Sequence, residues 1–153
     1  MITISSPSDL QSLLNQDLGT SEYLEIDQGR IDRFADATDD HQWIHVDAER
    51  AASGPFGGTI AHGYLTLSLG PELLHQIVDW QNIRMGVNYG LDKVRFPSPV
   101  PVGSRVRLQA SLRDAEELAA GGVQVRLDLV FEVEGVSKPA CVAELLLRYY
   151  FND

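Results

Sequence analysis

A single cysteine, Cys141, leaves no partner for an internal disulfide, so the chain is expected to work in a reducing compartment, the cytoplasm. Basic residues are scarce. Twelve lysines and arginines stand against 22 aspartates and glutamates, and the net charge of −10 excludes a general nucleic-acid binder. No stretch approaches the ~18 consecutive apolar residues of a membrane-spanning helix. Met1 to Gln11 carries neither a basic region nor a long apolar run, so no signal peptide is expected. Internal repeats, low-complexity segments and linkers are also missing, which leaves no place for a domain boundary. One domain over residues 1–153 is the expectation. A chain of this length buries roughly 68–70% of its unfolded surface, enough for a core without staples.

The charge that is present is uneven. Met1 to Arg50 holds eleven acids and three bases, whereas Lys93 to Arg113 holds five bases (Lys93, Arg95, Arg105, Arg107, Arg113) and no acid. Two readings stand for the basic stretch. It attracts an anionic ligand locally, or its arginines are the solvated faces of strands.

Helix signals occupy the first half. Ser6 reads as an N-cap, with Pro7 at the first position and Asp9 at the third, and Gly19 marks the expected stop. Glu22 to Ile26 reads as a short strand. Asp27 caps a second helix whose inward face is Ile31, Phe34, Ala35 and Thr38, at i, i+3, i+4 and i+7. That helix is expected to end near Asp39 and to deliver Asp40 to the interior edge of the fold. Asp40 to Val46 reads as a tight loop and Asp47 to Ala52 as a short capped helix. His62 to Gln81 is the most hydrophobic helix, apolar on more than one side, with Gly70-Pro71 predicted to kink or interrupt it.

The second half alternates. Val87, Tyr89 and Leu91 do so first, then Val106 to Leu112, Val123 to Val133, and Cys141 to Phe151. A strict period of two means one buried and one wet face, the mark of an antiparallel sheet. The predicted fold class is α+β: an antiparallel sheet wrapped around a central apolar helix.

Asp40 and His45 are the candidates for chemistry. A carboxylate and an imidazole converging on one water can activate it and shuttle its proton. Gly54 to Gly58 forms a glycine-rich loop, and His62-Gly63 then opens the apolar helix, offering free backbone N–H groups and the positive end of a dipole. A carbonyl oxygen held there would have its developing charge stabilised by roughly 3–4 kcal/mol.

Here the residues meet a family. FADATDDHQWIH, residues 34–45, resembles the hydratase motif of the MaoC-like (R)-specific enoyl-CoA hydratases, in which an aromatic residue precedes Asp-x-Asn-Pro-aliphatic-His. GPFGGTIAHGYLTLS (54–68) and NYGLDKVRFPSPVPVGSRVRL (88–108) resemble the segments that follow it. Gln42 stands in place of the motif's Asn, Trp43 of its Pro and Asp39 of the preceding Gly, departures that point to the nodulation protein N-like subgroup.

The resemblance implies a single hot-dog domain, a homodimer with sheets joined edge to edge, and hydration of a trans-2-enoyl-CoA to an (R)-3-hydroxyacyl-CoA with no metal or redox cofactor. Asp40 and His45 would be catalytic, with the thioester carbonyl at the Gly63 N–H. Substrate contacts would extend to Ile60, Ala61, His62, Gln42 and Ser68. Gly86 and Asn88 share a strand face and would leave space and one amide for a ligand. Pro97, Ser98 and Arg148, with Lys93 and Arg95, are candidates for the coenzyme A mouth. His41 and His75 read as surface, and Cys141 as core. Three rivals remain: a hot-dog thioesterase, a non-catalytic acyl-binding partner subunit, and a metal hydrolase built on His41, His45, His62 and Asp40.

Overall fold

The computed structural model describes residues 1–152. β1 (Ile2–Ile4) leads into α1 (Pro7–Ser12), whose start follows the sequence signal. The Ser6 hydroxyl accepts from the Asp9 N–H at 3.4 Å, and the Asp9 carboxylate accepts from the Ser6 N–H at 3.0 Å. The helix stops at Ser12 rather than Gly19. Asn15 turns the chain with φ 58°, and β2 (Gln16–Thr20) pairs with residues 109–112, so sheet pairing overrides the helical spacing.

β3 (Leu24–Ile26) pairs with residues 104–106, and α2 (Gln28–Thr38) follows, its Asp27 cap accepting from the Arg30 N–H at 2.7 Å. Ile31 and Ala35 are buried on its inward face, whereas Thr38 is exposed and bonds back to the Phe34 carbonyl. The segment expected as a loop over Asp40 to Val46 contains a single turn, α3 (Trp43–Val46), and α4 (Ala48–Ala52) follows on the Asp47 cap.

In place of one helix over His62 to Gln81 there are two, α5 (Gly63–Ser68) and α6 (Gly70–His75). Pro71 lacks the N–H that would continue the ladder, which accounts for the break. The chain then leaves the helix altogether. Val78 to Trp80 forms β4, parallel to β1, because β1 offers an unpaired edge to a segment whose Ile77 and Val78 can still be buried.

β5 (Ile83–Arg95), β6 (Ser104–Leu118), β7 (Gly122–Val133) and β8 (Cys141–Phe151) complete an antiparallel sheet in the order β2-β6-β7-β8-β5, with β3 also on β6. The inward residues of β6 and β7 are buried as the alternation predicts: Val106, Leu108, Ala110 and Leu112, then Val123 through Val133. At Arg113 a bulge lets Leu112 and Ala115 both face inward and keeps Asp114 in water. Leu65 of α5, Leu73 and Leu74 of α6, and Leu69 between the two helices join this core, each contributing roughly 1.5–3 kcal/mol relative to exposure. Cys141 lies in the core with no exposed surface, as expected of it.

β5 departs from expectation. Val87, Tyr89 and Leu91 were expected to lie on a buried face, but the strand is an edge and they are 39%, 54% and 41% exposed. The basic stretch resolves as strand faces. Arg105 pairs with Glu134 at 3.1 Å, Arg107 with Glu132 at 2.8 Å, and Arg113 with Asp128, all from β6 across to β7 or the turn after it. Among the described residues, no helix is long and apolar enough to cross a membrane.

Candidate active site

Asp39 ends α2 in the left-handed region, φ 59°, and turns the chain so that Asp40 begins the next segment. Asp40 is exposed rather than interior, and its carboxylate accepts from the Gln42 N–H at 3.4 Å. His45 is buried on α3. Its Nδ1 lies 2.7 Å from the Ile60 carbonyl oxygen. A carbonyl only accepts, so Nδ1 carries the hydrogen and Nε2 keeps its lone pair. Burial pushes the His45 pKa below the ordinary histidine value; the Ile60 hydrogen bond opposes this, His62 adds to it, and Asp40 opposes it.

His62, at the entry to α5, touches both residues. Its Nε2–H donates to the Asp40 main-chain carbonyl at 2.9 Å. Its ring stacks on His45, with centroids 3.8 Å apart and planes 22° off parallel, and the Phe34 ring lies 4.9 Å away on centroids. One carboxylate oxygen of Asp40 and one ring nitrogen of each histidine lie within 4.8 Å of one another. The His62 Nδ1 is buried with no hydrogen-bonding partner among the described residues. Such an orphan acceptor costs about 1–3 kcal/mol.

A second layer holds His45 from its main chain. The Gln28 side-chain amide donates to the His45 carbonyl at 2.8 Å, and Gln28 in turn accepts from the Thr59 hydroxyl at 2.5 Å. Sequence reasoning missed Gln28 and Thr59, and no spacing signal links residues 31 apart. It placed His62 as a substrate contact, as support for the helix start and in the rival metal site, and missed its stacking on His45.

His45 opens onto a cleft of about 270 Å³. Ile60, Ala61, Gly63, Pro97 and Ser98 line it together with His45, as do Phe56, Thr66 and Phe96, which sequence reasoning did not single out. A Cβ on Gly63 would sit 3.0 Å from the Phe96 ring, so the absent side chain is what lets that ring close over the start of α5. The Ser98 Oγ lies 3.0 Å from both the Lys138 and Pro139 carbonyls and fastens the 97–99 turn to the approach to β8.

Other candidates lie elsewhere. Gly86 and Asn88 line a separate groove between β5 and α6 with Pro71, Leu74 and His75. The Ser68 hydroxyl donates to the Leu65 carbonyl at 2.8 Å within its own helix. Arg148 donates to the Gln124 side chain at 3.0 Å and lies 3.4 Å over the Tyr89 ring. Gln42 precedes α3 without a side-chain cap bond. Lys93 lies on the outer sheet face near Asp128 and Glu144, and Arg95 donates to the Val94 carbonyl. His41 pairs with Asp36 at 2.9 Å on the surface, which raises its pKa through that hydrogen bond first.

The family model described as "MaoC like domain" matches residues 9–132. The chain belongs to the MaoC-like dehydratase family. The 3-hydroxyacyl-thioester dehydratase Z of Mycobacterium tuberculosis is 54% identical over 149 residues, spanning 97% of this chain and 99% of that one. Nodulation protein N of Rhizobium meliloti is 46% identical over 149 residues, 96% of this chain and 92% of that one. The structure of an (R)-hydratase from A. caviae matches with a TM-score of 0.70 at 22% identity, over 88% of this chain and 94% of that one. That likeness is one of fold, the hot-dog: the antiparallel sheet curled around α5 and α6.

In this MaoC-like chain the Asp40–His45–His62 trio does not have the geometry of a metal centre. A metal sits ~2.0–2.1 Å from an imidazole nitrogen, close to the ring plane. Two rings stacked 3.8 Å apart and 22° from parallel have planes that meet well beyond that distance. His41, the fourth residue of that rival, faces Asp36 instead.

Proposed function

We propose that the protein hydrates a trans-2-enoyl-CoA to the (R)-3-hydroxyacyl-CoA, and dehydrates it in reverse, with Asp40 and His45 as the catalytic pair. The observation that carries this is the tautomer of His45. Its Nδ1–H is committed to Ile60, so the basic Nε2 faces the neighbourhood of the Asp40 carboxylate and the cleft. The 54% identity to a protein named as a 3-hydroxyacyl-thioester dehydratase supports the same chemistry.

In this reading a water donates one hydrogen to His45 Nε2 and the other to the Asp40 carboxylate. As His45 takes its proton, the water oxygen bonds to C3 and the C2–C3 π pair moves toward the thioester. The thioester oxygen takes up the charge at the Gly63 N–H, at the start of α5. His45 then returns the proton to C2, so the elements of one water are added and nothing is oxidised. Asp40 orients the water and stabilises the transient imidazolium. No metal or redox group enters the balance. Ile60, Ala61, Pro97 and Ser98 line the path to these groups.

The active form is proposed to be a homodimer of single-domain chains. β5 presents an unpaired 13-residue edge with Met85, Val87, Tyr89 and Leu91 exposed, and such an edge is normally covered. A second copy is the occupant, and β5 runs directly into Phe96 and Pro97 of the cleft wall. A single domain over residues 1–153 is part of the same proposal, supported by β8, which lies beyond the family match and sits between β7 and β5.

Asp40→Asn and His45→Ala are each expected to lower the hydration of crotonyl-CoA by at least ~10², the usual worth of a general acid–base group. Loss of the enoyl absorbance is the readout. Near wild-type rates in both variants contradict the assignment, and release of free thiol from acyl-CoA replaces it with a thioesterase.

A further inference from the structure

His62 touches both members of the proposed pair through its side chain, each by a different part of its ring. The edge donates to the main chain of Asp40, and the face carries the ring of His45. Neither contact uses Nδ1, which stays buried and has no partner among the described residues. A phenylalanine would keep the face and lose the donor. A glutamine would keep the donor and lose the face. Histidine is the side chain of this size that supplies both, at the expense of an unsatisfied nitrogen. His62 does not line the cleft, whereas Gly63, one residue on, does.

We infer that His62 is a positioning residue, clamping the Asp40 main chain by its Nε2–H and fixing the plane of His45 by stacking, so that the two groups are held in one geometry toward the same water. This rests on the hydratase reading above for its effect on rate, but not for the clamp itself. The clamp joins the end of α2, the turn α3 and the start of α5, beside the hydrogen bonds that Gln28 and Ile60 make to His45. The His45 ring has two constraints, one in its plane from Ile60 and one across its face from His62. Asp40 has little else to hold it, being exposed and bonded only weakly to the Gln42 N–H.

The test uses His62→Phe, His62→Gln and His62→Ala in the full chain, with circular dichroism to verify folding. Hydration of crotonyl-CoA is expected to show kcat about 10-fold lower in the Phe and Gln variants and lower still in Ala, with KM within about 3-fold, since a ~1 Å misplacement costs up to ~10² in rate. A kcat within 3-fold of wild type in both conservative variants overturns the inference. So does a loss that resides in KM, which would make His62 a substrate contact instead.

Resonances assigned by NMR decide the clamp without any turnover. His62→Phe is expected to shift the Asp40 carbonyl carbon and leave the His45 ring protons in place. His62→Gln is expected to do the reverse, by removing a ring current. Neither resonance moving, or both moving in both variants, sinks the clamp. A wild-type protein inert toward every enoyl thioester would sink the hydratase reading alone, with the resonances still deciding where His62 acts.

Discussion

β7 and β5 carry the same pattern and live in different surroundings. Along β7 every second residue from Val123 to Val133 is apolar and no more than 4% exposed. Along β5 the apolar residues Met85, Val87, Tyr89 and Leu91 are 39–54% exposed, at the edge of the same sheet. Alternation therefore reports that a face is to be covered, and leaves open what covers it. For β7 the cover is α5 and α6 of the same chain; for β5 the proposed cover is a second chain.

The sharpest test of that difference removes one large side chain from each strand. Phe131→Ala on β7 should cost about 3–5 kcal/mol, the usual range for a buried phenylalanine. Tyr89→Ala on β5 should cost under ~0.5 kcal/mol in dilute monomer, as surface changes do. Urea unfolding at low protein concentration measures both, and equal losses would erase the distinction between the strands.

A smaller effect is expected from charge on the edge. Tyr89→Lys would place like charges near a two-fold-related copy, and the proposed dimer should dissociate at least ~10-fold more readily, on the order of 1.4 kcal/mol. Sedimentation over a concentration series reads this directly. An unchanged dissociation constant would mean that something other than β5 joins the subunits, or that nothing does.

The smallest effect concerns pH. Neither strand has a histidine, so a rate change between pH 7 and about 5.5 reports the site rather than the sheet. Burial first of all lowers the His45 pKa, so the neutral base persists below the ordinary value of 6.5. Protonation abolishes the base, so kcat/KM should hold level through pH 6.5 and fall only on the acid side of it. An acid limb centred above 6.5 would show that a different group, or a solvated His45, governs the reaction.

Much of this was legible beforehand, and the reasons are local. Ser6 with Asp9, and Asp27 with Arg30, cap helices through contacts three residues apart, which spacing can show. The period of two in β6, β7 and β8 follows from the pleat of each strand alone. Asp40 and His45 stood out through five residues of chain and a family motif. What escaped needed distance. α1 ends early because β2 meets β6, and the apolar run past His75 becomes β4 because β1 lies beside it. The stack of His62 on His45 spans 17 positions, and the Gln28–Thr59 bond 31. Each is decided by where two separate elements dock, and no local periodicity encodes that.

The lone thiol has a use beyond packing. Cys141 begins β8, has no exposed surface, and burial raises its pKa to about 11. It is therefore silent to alkylating reagents while the sheet is closed, and with no other cysteine in the chain any labelling has one address. The rate of that labelling is a clock on the opening of the sheet between β7 and β8. Read in each variant above without a spectroscopic probe, it separates changes that loosen the frame from changes that alter only the chemistry it holds.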